Sequence, residues 1–432
     1  MQARGLPEVK RLFIDLRPLR QFPHFRRLWT GYLFRLIGAQ LTVTTVIYQV
    51  FTITHSNLDV GLLSLAQLGP AVLAPMVGGA IADAIDRRRL LMVTAVAMAL
   101  MTCALALNAS ASRPAVWPLY VFSALTWGLN GIDNPTRTAV TVTLVDRGSV
   151  VQANVLRQLL SQTSNLVGPG LAGLLIAVFH HDLAIVYWID VASTAAALQA
   201  VVRLPPLLPG GGGRRFSLTS IREGFTFVRG RQVIQACFAA DLTAMVLGSP
   251  VSLFPYMALT RFHGGPGAYG LLSASPAVGA GLGAAFSGWT GTIRHYGRWV
   301  VIAITVWGVA IVGFGLAPWL WLGVVCVAIA GWADSTSALF RTAILQLETP
   351  DELRGRLSSI QAIVVQSGPL LGNAEAGLVA RLAGAQVSIV TGGLACLLGV
   401  AAIARFGSNF TRYEPAPSRE LVADSPSGPQ TS

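Results

Sequence analysis

From residue 28 to residue 406 the chain alternates apolar runs of about twenty residues with short polar breaks that carry arginine. A hydrocarbon core roughly 30 Å thick needs about twenty helical residues per crossing. Only helices or closed barrels satisfy every backbone group there. Twelve runs reach that length: 28–51, 60–82, 90–108, 116–135, 155–179, 184–202, 232–260, 267–290, 299–317, 319–340, 357–382 and 384–406. The pattern predicts an all-α membrane protein of twelve transmembrane helices.

The longest break falls between the sixth and seventh runs. It holds Pro205, Pro206 and Pro209, then Gly210 to Gly213 and two arginines, a composition that reads as a linker. Within it Leu218, Ile221, Phe225 and Val228 share one helical face, and Ser220 with Glu223 has capping-box spacing, which predicts a short amphipathic surface helix. The expected organisation is an N-terminal segment 1–27, a six-helix bundle 28–202, a linker 203–231, a second bundle 232–406 and a disordered Pro- and Ser-rich tail 407–432. The N-terminal segment is basic and broken by proline, so no secretory signal is expected.

The two bundles repeat one another. Gly61-Leu62-Leu63-Ser64 returns as Gly270-Leu271-Leu272-Ser273, Arg137-Thr138-Ala139 as Arg341-Thr342-Ala343, and Gly168-Pro169 as Gly368-Pro369. Several matches in the same order predict a six-plus-six duplication.

Charge sharpens the picture. Only 12% of the residues are charged and 53% are hydrophobic, where a soluble chain would carry about a quarter charged. The net charge of +12 suggests nucleic acid until its placement is considered. The predicted topology leaves Arg113, Arg261 and Arg381 on one side and Arg35 inside a span. All other arginines and Lys10 fall on the opposite side, which the positive-inside rule makes cytoplasmic, with both termini. Lys10 is the sole lysine, which excludes a GxxxxGK[ST] phosphate loop and a buried Schiff-base lysine. The four cysteines stand singly in separate runs, so neither disulfides nor a zinc site is expected, and no metal or cofactor is implied. No nucleophile–base pair stands out, so an enzyme is not expected.

The break after the second run reads Gly78-Gly79-Ala80-Ile81-Ala82-Asp83-Ala84-Ile85-Asp86-Arg87-Arg88-Arg89. With twelve spans, duplicated halves and a central linker, it resembles the G-x-x-x-D-R-x-G-R-R-R motif of the major facilitator superfamily. Gly79, Asp83 and Arg87 to Arg89 match; Ala84 and Asp86 depart. The segments around Phe25 to Trp29, Phe51 to Ser56 and Ser220 to Val228 further resemble the branch of enterobactin exporters and macrolide-efflux-like proteins. The resemblance covers about residues 22–406. It implies that Gly79, Asp83, Asp86, Arg87, Arg88 and Arg89 form a conformational latch, degenerate in the second half where Thr292 takes the aspartate's place. Gly168, Pro169 and Gly173 resemble the GPxxGG hinge of antiporters, with an ordinary small-residue packing seam as the alternative.

Ionisable residues in spans are costly and mark candidate sites: Arg35, Asp133, Asp190, Asp241, Asp334 and Glu375. The resemblance places spans 1, 4, 7 and 10 around a central cavity, and each carries one of Arg35, Asp133, Asp241 and Asp334. Asp241 lies roughly 14 Å from the inner end of its span and is the expected proton-coupling residue. The other three stand nearer the inner mouth, where they could pair with one another or serve as gate salt bridges without a transport role. Asp190 and Glu375 lie on spans outside the central four, where a packing role is expected. Gln40, Asn130, Trp127, Tyr256 and Trp332 are candidates to line a substrate cavity, against packing as the alternative.

The expected protein is a monomeric inner-membrane secondary transporter, proton-coupled and exporting a hydrophobic or amphipathic small molecule such as a drug or siderophore. Its expected partners are the lipid bilayer, that substrate and protons. A proton-coupled importer of a small metabolite and a non-transporting membrane sensor are the alternatives.

Overall fold

The computed structural model describes residues 15–180, 182–207, 226–286 and 293–414. The linker helix predicted around Leu218 to Val228, except its last residues, and Thr292 lie outside them. Among the described residues the structure is helical without strands, and twelve long helical segments stand where the apolar runs predict them. They are α1 (Pro23–Thr54), α2 (Asn57–Ala84), α3 (Arg87–Ala109), α4 (Trp117–Leu144), α5 (Val150–Val178) and α6 (Leu183–Val202). The second set is α7 (Gln232–Arg261), α8 (Gly265–Ala285), α9 (Tyr296–Leu316), α10 (Leu320–Glu348), α11 (Asp351–Ala383) and α12 (Ala385–Phe406). Eight are apolar and long enough to cross a membrane by themselves. The other four, α4, α5, α8 and α11, are diluted by glycine, proline and polar residues, as suits helices that face other helices more than lipid.

Polar side chains set the turns. Ser56 Oγ caps α2 by accepting from the Asp59 amide at 3.3 Å, Asp86 caps α3 through the Arg88 amide at 2.9 Å, and Asp182 caps α6 through the Ala184 amide at 3.1 Å. His55 takes the left-handed conformation, φ 52°, that reverses the chain between α1 and α2.

Packing repeats with the sequence. In the first half α1 lies against α5 and α6, α2 against α4, and α3 against α4 and α6; in the second, α7 lies against α11 and α12, α8 against α10, and α9 against α10 and α12. One crossing is reproduced in detail: Pro75 of α2 abuts Gly131 of α4, and Pro276 of α8 abuts Gly331 of α10. The halves meet along α2 with α11 and α5 with α8. Both seams are glycine on glycine, Gly61 with Gly377 and Gly270 with Gly173.

The seventh segment is irregular. It changes from α to π geometry over Thr243–Leu247, breaks at residues 248–250 and resumes at Val251. A break at that depth needs protein partners for its backbone. Asn373 of α11 supplies them: its Oδ1 accepts from the Ser252 amide at 3.1 Å, and its carbonyl accepts from Ser252 Oγ at 3.0 Å.

Residues 408–414 of the tail differ from their expected disorder. Ser408–Thr411 forms a helical turn. Phe410 is fully buried in the core of the second half, and the Tyr413 carbonyl accepts from the Tyr296 amide at 3.1 Å. With the His295–Glu414 contact at 2.9 Å and the Asn409 Nδ2 bond to Gln232 Oε1 at 3.2 Å, they dock a segment whose composition is polar.

Candidate functional site

The two halves are closed together at one end and apart at the other. At the end where α1 finishes, Leu41, Tyr48, Ala172, Ile176, Phe254, Met257, Tyr269, Leu272, Ala376 and Ala380 form one apolar core drawn from both halves. Tyr269 stacks near Tyr48, ring centroids 5.5 Å apart, and its hydroxyl donates to the Thr44 carbonyl at 2.9 Å. Toward the opposite face, where α1 and α11 begin, lies a cavity of about 820 Å³. Its wall is mostly first-half, with Ser359, Ala362, Ile363 and Gln366 of α11 facing across.

Arg35, Gln40, Trp127 and Asn130 line this cavity. Gln40 Nε2 donates to Asn165 Oδ1, bridging α1 and α5. Tyr256 and Trp332 stand elsewhere. Tyr256 meets Phe51 edge-on, centroids 6.4 Å apart, in the closed end. The Trp332 ring of α10 fills the space left by Gly283 of α8. Their aromatic bulk is spent on helix packing.

Each half places an ion cluster between its first and fourth helices. In the first half Asp133 Oδ2 accepts from Arg35 Nη2 at 2.9 Å and from Arg137 Nε at 2.6 Å, while Oδ1 accepts from Thr94 Oγ1 at 3.0 Å. Arg35 Nη2 also donates to Asn130 Oδ1 at 2.6 Å, and the Arg137 guanidinium lies 5.0 Å from the Tyr32 ring centre. In the second half Arg341 Nη1 lies 2.6 Å from Asp241 Oδ1, and its Nη2 lies 3.8 Å from Asp334 Oδ1. Thus Arg35 and Asp133 are brought together, while Asp334 is in the other half, near Arg341. Asp241 faces a guanidinium rather than open cavity.

Arg137 and Arg341 are absent from the residues that span-by-span reading singles out, because it ends their helices at 135 and 340. α4 and α10 run about two turns further, which carries both arginines into the buried interior. The assignment of these two to the charged loops is therefore corrected. The available signal was the repeat itself, since Arg137-Thr138-Ala139 and Arg341-Thr342-Ala343 are copies. Asp190, given a packing role, is also on the cavity wall, because α6 lies against α1.

The latch segment is tied to its own half. Asp86 Oδ1 accepts from the Leu207 amide at 3.1 Å as well as from Arg88, the Arg87 amide donates to the Leu207 carbonyl at 3.1 Å, and Arg88 Nη2 donates to the Val202 carbonyl at 2.6 Å. Arg89 is exposed. The side chains of Gly79 and Asp83 lie outside the described residues. In the hinge segment Gly168 lets Gln40 of α1 approach and Gly173 lets Gly270 of α8 approach, with Pro169 buried between them.

A family model described as transmembrane secretion effector matches residues 14–422. Curated relatives include the enterobactin exporter EntS of Citrobacter koseri, 27% identical over 91% of this chain and 95% of that one. EntS of Escherichia coli SMS-3-5 is 25% identical over 95% of this chain and 98% of its own. Among solved structures, a bacterial homologue of the human lysosomal transporter Spinster, inward-facing and unoccupied, superposes with TM-score 0.71 at 16% identity, covering 93% of this chain and 100% of that one. The nucleoside transporter NupG superposes with TM-score 0.69 at 14% identity over 90% and 98%. These structures share the major facilitator fold.

Proposed function

Since this chain belongs to the transmembrane secretion effector family of major facilitator transporters, we propose that it exports a bulky amphipathic small molecule, of the siderophore kind, in exchange for protons. It does so by alternating access between its two halves. The observation that carries this reading is the one-sided cavity: about 820 Å³, mostly apolar in lining with polar groups such as Arg35, Gln40 and Asn130 set into it, and with its far end closed by both halves. Such a volume fits a drug-sized molecule. Closure at one end only is what a cycle of alternating access requires of each end state.

Direction follows from charge and kinship. The face toward which the cavity lies carries Arg26, Arg27, Arg87 to Arg89, Arg203 and Arg231, whereas Arg113, Arg261 and Arg381 are the arginines at the far face. The positive-inside rule makes the arginine-rich face cytoplasmic, with both termini there, so the cavity loads from the cytoplasm. Relatives named as enterobactin exporters at 25–27% identity over nearly the whole chain support outward transport of a siderophore. The buried ion clusters between α1 and α4 and between α7 and α10 hold each half together as it moves.

The test is accumulation of enterobactin, macrolides and fluorescent dyes by cells with and without the protein, before and after the proton gradient is collapsed. Export predicts lower accumulation that reverts on collapse. Higher accumulation would show import instead, and lower accumulation indifferent to collapse would remove proton coupling.

A further inference from the structure

Asp190 of α6 is 4% exposed and forms part of the cavity wall. Its partners are hydroxyls. Oδ2 accepts from Thr42 Oγ1 of α1 at 2.6 Å and from Thr102 Oγ1 of α3 at 3.3 Å. Oδ1 accepts from Ser193 at 3.2 Å and from Thr194 at 3.4 Å on its own helix. Opposite it α1 has Gly38, where a Cβ would lie 2.0 Å from Ser193 Oγ and 2.3 Å from Oδ1, so glycine there leaves room for the carboxyl group and its hydroxyl partner.

Arg35 acts on Asp190 as a charge through space, and its hydrogen bonds go elsewhere. Arg35 of α1 gives its Nη2 to Asn130 and to Asp133 of α4. The charged residues of α3, Arg87 to Arg89, are in its first turn, and α5 carries its arginine, Arg157, near its own start. Asp190 has no place in the buried ion pairs that hold Asp133 and Asp241.

This difference separates Asp190 from Asp133 and Asp241 as a group that can exchange a proton. Protonating Asp133 or Asp241 would break an ion pair and strand a buried guanidinium. A guanidinium only donates, so it can serve the anion alone. A hydroxyl donates or accepts, and four of them can satisfy either –COO⁻ or –COOH by rotation. An unpaired charge in a membrane interior is costly, and binding a proton removes it.

We propose that Asp190 is the proton-binding site of the transport cycle. It takes a proton from water at one face and gives it up at the other after the halves have rocked. In the protonated state its O–H donates to Thr42 or Thr102, which turns to accept. The assignment rests on the proton-driven reading above and replaces Asp241 in the coupling role.

Infrared difference spectra of the full-length protein, recorded across a pH titration, test the site without a substrate. The wild type should show a titrating carboxylic-acid carbonyl band that is lost in Asp190→Asn and moved in frequency in Asp190→Glu. Absence of such a band in the wild type, or its persistence unchanged in both variants, would overturn the proposal. Enterobactin efflux from proteoliposomes separates this from the parent reading. If the wild type ignores an imposed pH gradient, proton-driven export fails whatever residue 190 does. If the wild type responds, Asp190→Asn should lose the response while keeping gradient-free exchange, and a retained response would sink the assignment to Asp190.

Discussion

Arg137 and Arg341 show what single side chains contribute here. Each is nearly enclosed, and each compensates a carboxylate that has left water: Asp133 in one half, Asp241 in the other. Removing one partner of a buried pair costs more than the pair contributes, because the other charge stays buried. Arg341→Met should therefore lower stability by about 3–5 kcal/mol, read as a drop in the thermal midpoint in detergent. Pairing it with Asp241→Asn should recover much of the loss; an additive double variant would refute the coupling. The repeat marked both positions, but in the sequence they look like loop arginines. Only the extra turns of α4 and α10, together with their neighbours on α1 and α7, make them interior groups. Tyr269 is a gentler case. Tyr269→Phe removes one hydrogen bond between the halves, worth about 1 kcal/mol, and should raise the fraction of molecules open at the far end, measured by thiol labelling of a cysteine placed at Tyr48.

The helices show how composition becomes shape. Glycine at Gly173 and Gly270 brings α5 and α8 close enough that a Cβ on Gly173 would lie 2.5 Å from the Gly270 Cα. Alanine there overpacks the seam by about 1–3 kcal/mol, and 1.4 kcal/mol is tenfold in an equilibrium. Gly173→Ala should thus populate the state open at the far end, lengthening distances between spin labels on the α1–α2 and α7–α8 turns. An unchanged distribution would mean the seam yields without opening. Asp86 acts at the same scale. It stands where the superfamily motif has glycine, and here it caps α3 and holds Leu207. Asp86→Ala should cost about 1 kcal/mol, visible as faster hydrogen exchange in the first turn of α3.

The whole molecule joins two like halves with unlike charge. The first half's cluster has two guanidiniums to one carboxylate, and the second's has one guanidinium to two carboxylates. If the arginine-rich face is cytoplasmic, a cysteine at Gln366 should react with an impermeant thiol reagent from the cytoplasm, and saturating substrate should slow the reaction. Reaction from the outside alone would reverse the topology. The number of helices, their approximate limits and their duplication were legible in the sequence, because lipid demands long apolar runs and the repeats preserve local motifs. Helix ends at α4 and α10 were not, since apolarity fades before the helix does once polar side chains find protein partners. What the tertiary structure decided was pairing across distance: Arg341 with Asp241, Asp190 with hydroxyls from α1 and α3, Tyr256 and Trp332 in packing rather than cavity. A buried polar group takes its character from the groups it meets, and those arrive from helices far apart in the chain.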